Sequence, residues 1–189
     1  VVLGEQFTKH VPINSQILYI KDVQEGHPRA EVSDIAADYG RWVSERIRFV
    51  RAFGGVYILL FGMGDNGHFA FVEPHMDKWT GDWFMAGQID DVCARQQYEG
   101  YRNHPSPKAR YESVESVPRD IITATMAAML DSDIAICDVP EASKANAVVA
   151  AIDGPLTDSL PASFYRMHTN LFLYLTEESA AKLTRPPVV

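Results

Sequence analysis

Cysteine is scarce. Only Cys93 and Cys137 occur in 189 residues, so no disulfide framework holds this chain together, and the usage fits a reduced, cytoplasmic compartment. No run of about 18 apolar residues occurs, and no charged-then-apolar leader opens the chain, so neither a membrane span nor a signal peptide is expected. Positive charge is short as well: 17 Lys and Arg stand against 25 Asp and Glu, a formal net charge of −8. A field of that sign offers no broad attraction to nucleic acid or to acidic membranes. A phosphorylated small molecule would need a local pair of cations. Several motifs are missing too. There is no Gly-Lys-Ser/Thr phosphate loop, no Gly-x-Ser-x-Gly nucleophile elbow and no good dinucleotide fingerprint. The two cysteines form no CxxC pair, and His10, His27, His75 and His104 lie scattered without metal-ligand spacing, so no metal site is expected.

What remains is an ordinary globular balance of 47% hydrophobic and 22% charged residues. The chain is long enough for one domain, residues 1–189, burying roughly 70% of its unfolded surface. Residues 16–20 (QILYI) read as a short strand. Over 30–50, Val32, Ile35, Ala36, Tyr39, Val43 and Ile47 recur at three- and four-residue steps, the pattern of one buried helix face. Residues 56–61 (VYILLF) form an unbroken apolar run, which fits a central parallel strand. The stretch 73–117 reads as long loops with one helix or strand near 90–98. Pro118 then opens a predicted helix over 119–130, followed by a strand at 133–139, a helix at 143–152, a strand at 171–175 and a short helix at 177–183 capped by Thr176. Strands alternating with helices predict a doubly wound α/β sheet. Trp42, Trp79 and Trp83 are read as packing residues.

In such sheets ligands bind beyond the carboxyl ends of strands. The run 56–61 leads straight into Gly62-Met63-Gly64-Asp65-Asn66-Gly67-His68, with Glu73 five residues past the histidine. Gly62, Gly64 and Gly67 permit close approach of a ligand to the backbone. Carboxylate, amide and imidazole in one small loop suit proton movement near neutral pH, because one neighbour fixes the imidazole tautomer and another tunes its charge. On the residues alone, a glycine turn whose histidine caps a helix or sits at the surface is an equal alternative.

The segment GMGDNGHFAFVEP resembles the site loop of the glucosamine-6-phosphate deaminase/isomerase family, in which a glycine-rich turn is followed by Gly-His, Ala-Phe and an acidic residue before proline. The related 6-phosphogluconolactonases share the Gly-His core but continue differently. Further along, residues 90–97 (DDVCARQQ) look like the family's Arg-Gln-Gln segment. Val117-Pro118, the stretch from Val139-Pro140 to Lys144-Ala145, and Pro161-Ala162-Ser163 with His168 resemble its later segments in the same order.

The resemblance implies a Rossmann-like, mostly parallel α/β sheet with helices on both faces. It implies isomerisation of a hexosamine 6-phosphate with loss of ammonia, without a cofactor. His68 would be the ring-opening acid/base and Glu73 the carboxylate that orients it. Asn66 stands where many members carry aspartate; its carbonyl would accept a proton from the imidazole, with Asp65 as a stand-in charge. Gly62, Gly64 and Gly67 would line the substrate, and Arg95 and Lys144 would hold its phosphate, a fork and a point charge against a dianion. Glu141 departs from the family's usual glycine and would repel that phosphate unless it points outward. The alternatives are a lactonase-like hydrolase and a non-catalytic sugar-phosphate binder. Members commonly form homo-oligomers. The chain opens Val1-Val2-Leu3 without an initiator methionine. It reads as the family's C-terminal portion, with the first strands, a phosphate loop and the C2 base lying upstream.

Overall fold

The structure, a computed structural model, describes residues 31–184 together with Ile20 and Gly26. The strand expected over 16–20 falls, apart from Ile20, outside the described residues. Helix α1 (Val32–Ala52) turns Ile35, Ala36, Gly40 and Ser44 inward. Gly40 lets the helix approach closely: a Cβ there would lie a tight 3.2 Å from the backbone nitrogen of Phe84. At the far end Arg51 grips Asp133 at 3.0 Å and Asp131 at 2.8 Å, tying the helix to the start of the next layer.

Strands β1 (Ile58–Gly62), β4 (Ile134–Val139) and β5 (Leu171–Leu175) form a parallel sheet in the order β1-β4-β5. Leu60 pairs with Ile136, and Ile136 with Phe172. The alternating partners Leu59, Phe61, Cys137, Val139, Leu173 and Leu175 face a core with Met63, Phe69, Val72, Met126, Met129 and Val148. On the other face Ile58, Leu60, Phe172 and Tyr174 are exposed. Helix α4 (Ala145–Asp153) and the 3-10 segment Pro161–Met167 pack together on the core side. The α/β class with a parallel sheet is as the alternation predicts. Among the described helices none is long and apolar enough to cross a membrane.

Four expectations need correction. Among the described strands β4, not β1, is central, and Ile58 and Leu60 of β1 are exposed, so the apolar run 56–61 is not the covered central strand expected. In the stretch 73–117 the element expected near 90–98 is helix α2 (Asp91–Tyr101), but a strand, β2 (Phe84–Gln88), precedes it where only loop was expected. The helix expected over 119–130 is instead β3 (Asp120–Ala124), antiparallel to β2, followed by the short helix α3 (Met126–Leu130). The β-branched run Ile121-Ile122-Thr123 prefers the pleat, and Thr125 starts the helix late by accepting from Ala128 N at 3.4 Å. Over 177–183 only turns form. Thr176 does cap: it accepts from Ser179 N at 3.3 Å, the Ser179 hydroxyl accepts from Thr176 N at 3.0 Å, and Ala180 N reaches Thr176 O at 3.0 Å, but the turn is not continued into a helix.

Candidate active site

The loop leaving β1 is built from the backbone upward. Gly64 N donates to His68 O at 3.1 Å and Gly67 N to Gly64 O at 2.9 Å, closing a tight turn. Gly67 has φ +76° and Ala70 φ +49°, so the loop holds two left-handed residues, one of them not glycine. Phe69 and Val72 are fully buried and peg the loop into the core. Ala162 N donates to Gly67 O at 2.9 Å, and the Tyr165 hydroxyl reaches Gly62 O at 3.3 Å, so the 3-10 segment braces the loop from beneath.

His68 lies across Gly64, where a Cβ would stand 2.1 Å from the ring. Only a glycine leaves room for the imidazole. The ring is 3% exposed, stacked against Phe71 with centroids 5.7 Å apart. Its Nδ1 is 3.4 Å from Glu73 Oε1. That pair is in contact without a closed hydrogen bond, and neither atom has another partner. Resting-state contacts of this kind commonly tighten when substrate binds.

Asn66 does not serve the imidazole ring. Its Oδ1 accepts from the backbone N of His68 at 3.1 Å, and its amide donates to Glu73 Oε2 at 2.6 Å and to Asp90 Oδ2 at 3.0 Å. The expected bond from the ring to the Asn66 carbonyl is therefore replaced by a carboxylate–amide–carboxylate bridge. The reason is electrostatic: two carboxylates converge there, and an amide offers both a donor. Burial works to raise the pKa of Glu73, but His68, the Asn66 amide and the Cys93 thiol outweigh it, and the carboxyl lies below its usual range. Burial, together with the Glu73 charge, pushes the Cys93 thiol well up, so it stays a neutral donor to that carboxylate. His68, Glu73 and Cys93 each offer a ligand atom within 4.8 Å of the others, a spacing a metal could use.

Asp65 points elsewhere. Its Oδ1 accepts from the Ser143 hydroxyl at 2.8 Å, and its backbone N donates to Gln96 Oε1 at 2.9 Å. It lines a cavity of about 660 Å³ whose wall also includes Phe71, Arg95, Gln96, Ser143 and Lys144. Arg95 from α2 and Lys144 from the turn before α4 thus share one cavity. His68 and Glu73 are not among its lining residues; His68 adjoins it through its stack on Phe71. Lys144 is buried and carries Glu141 Oε2 at 2.7 Å.

Asp90, Gln96 and Ser143 were not among the residues the sequence pointed to. Asp90 had one visible signal: it caps α2 by accepting from Cys93 N at 2.7 Å, and an aspartate before a helical run is the usual cap. Gln96 and Ser143 depend on packing across distant segments and carry no local signal.

No family model matches the chain. Curated relatives are glucosamine-6-phosphate deaminases. That of Rhodopirellula baltica is 26% identical over 155 residues, covering 82% of this chain and 54% of the relative. That of Shewanella woodyi is 30% identical over 138 residues, covering 71% and 47%. That of Halothermothrix orenii is 26% identical over 181 residues, covering 96% and 66%. The chain thus spans about half the length of the first two. Among solved structures, a monomeric glucosamine-6-phosphate deaminase superposes with a TM-score of 0.60 at 22% identity, covering 76% of this chain and 54% of its own. A 6-phosphogluconolactonase from Trypanosoma brucei gives 0.54 at 16% identity, covering 94% and 59%. At these identities the structures establish the fold.

Proposed function

Because this chain belongs to the glucosamine-6-phosphate deaminase/isomerase family, we propose that it carries the ring-opening and phosphate-binding part of an enzyme converting a hexosamine 6-phosphate to a ketose phosphate and ammonia. The observation that supports this best is the placement of His68 Nδ1 3.4 Å from Glu73, with the imidazole stacked on Phe71, which lines the cavity that Arg95 and Lys144 share.

In this reading the phosphate sits between the Arg95 guanidinium and the Lys144 ammonium, and the sugar extends toward the Gly62–Gly67 backbone. His68 takes the proton of the C1 hydroxyl as the C1–O5 bond breaks and delivers a proton to O5, giving the open-chain aldehyde. Glu73 orients the ring and stabilises its charged form. A proton then leaves C2 as one is gained at O1, giving an enolamine, and a proton is gained at C1 as the nitrogen gives one up. The resulting C2 imine adds water and expels ammonia, leaving a ketone. The C2 base is assigned to no residue of this chain.

The lactonase alternative has one supporting observation, the fold shared with 6-phosphogluconolactonase over 94% of this chain. Product analysis on the protein that carries this chain separates the two. Ammonia from glucosamine 6-phosphate supports the deaminase reading. Acid from 6-phosphogluconolactone, without ammonia, selects the hydrolase. Phosphate-sugar binding with neither product selects a non-catalytic binder.

A further inference from the structure

The Lys144 ammonium is already occupied by an anion of the chain's own. Its side chain is 9% exposed, and Nζ lies 2.7 Å from Glu141 Oε2 across the 3-10 turn Ala142–Lys144. Glu141 itself is 55% exposed. The backbone around the pair is tied down on both sides. Ser143 donates its hydroxyl to Asp65, Lys144 N donates to Glu141 O at 3.1 Å, and the Thr176 hydroxyl holds Pro140 O at 2.9 Å. The cation is therefore fixed and enclosed, while the carboxylate hangs on a flexible stem at the solvent edge of the same cavity.

We propose that Glu141 is an internal competitor for the anion subsite, a tethered carboxylate that holds Lys144 until a phosphate displaces it. This rests on the proposed reading of Lys144 as a phosphate anchor. A single carboxylate against a dianion is an uneven contest, since the dianion places more charge beside the ammonium and adds oxygens for Arg95. Glu141 then swings into water, which its exposure allows. The consequence is a raised threshold. Free phosphate, which has only its charge to offer, is held weakly, whereas a sugar phosphate adds contacts along the rest of the cavity. The subsite is kept ordered and paired while empty, so the buried ammonium never stands unneutralised.

Calorimetric titration with inorganic phosphate at pH 8 tests this on the protein that carries the chain, using Glu141→Gln, Glu141→Ala, Lys144→Ala and the double variant Glu141→Gln/Lys144→Ala. Removing the competing charge is expected to tighten phosphate binding by about tenfold in both Glu141 variants. The gain should vanish when Lys144 is absent. Equal or weaker binding in the Glu141 variants, with Lys144→Ala still weakening it, would overturn the competitor while leaving the anchor intact. Phosphate binding indifferent to Lys144→Ala would overturn the anchor and the competitor together.

Discussion

The Asn66 side-chain amide bridges Glu73 and Asp90, at 2.6 and 3.0 Å. This relationship accounts for an uncharged residue in a loop position where the resemblance leads one to expect aspartate. Glu73 is fully buried, and Asp90 approaches the same point. A third carboxylate there would have no donor to share and two charges to face.

Substituting Asn66→Asp should therefore destabilise the protein by about 2 kcal/mol at pH 8, the scale of a lost hydrogen bond to a buried charge. At pH 5 the deficit should shrink, because one carboxyl of the three can take up a proton. Urea denaturation at the two pH values measures it.

Glu73 gives a pH dependence with a definite sign. Although burial alone would raise its pKa, its partners hold the carboxyl below the unfolded value, which is about 4.3. The ionised form then contributes stability that is fully present above the unfolded value and is lost as pH falls through the folded value. Glu73→Gln should remove that part of the acid limb of a stability-against-pH curve. The same change should lower kcat by about 100-fold if Glu73 positions the imidazole, with phosphate affinity held.

Gly64→Ala tests the seat of the imidazole. The new methyl would lie 2.1 to 2.3 Å from three ring atoms of His68, so the ring must leave its place. Turnover should fall by about 100-fold, the usual effect of an ångström-scale misplacement. Binding of inorganic phosphate at Arg95 and Lys144 should persist, which distinguishes a moved ring from a collapsed cavity.

Arg95→Ala and Lys144→Ala should each raise KM for a sugar phosphate by roughly 10- to 100-fold, as expected for loss of one charge-assisted hydrogen bond. An unphosphorylated amino sugar should be unaffected by either. Steady-state kinetics with both substrates makes the comparison.

The parts of this fold that the sequence disclosed are those governed by local pattern. The stripe from Ile35 to Ile47, the apolar run into β1 and the LFLYL strand carry their period in themselves. The glycine loop was legible for the same reason, since a strand end followed by Gly62, Gly64 and Gly67 dictates a tight turn. The β2–β3 pair was hidden. Phe84 to Gln88 includes Ala86 and Gly87, weak strand formers whose pairing is set by Ile121 and Ile122 over thirty residues away. A Cβ at Gly87 would meet the end of the flexible Met76 side chain at 2.6 Å, a tertiary neighbour that no local pattern shows. In the site, the nearness of His68 and Glu73 follows from one compact loop, but the route of Asn66 to Asp90 does not. Which acceptor an amide takes depends on where α2 docks, and no local spacing encodes that.

The most direct measurement is turnover of glucosamine 6-phosphate by the His68→Ala variant of the protein that carries this chain, read as ammonia released, beside calorimetric binding of inorganic phosphate to the same variant. Ammonia release reduced by at least about 100-fold with phosphate affinity unchanged is the predicted result. Ammonia release at the parent rate would contradict the role given to His68, and with it the account of this loop as a proton-transfer site.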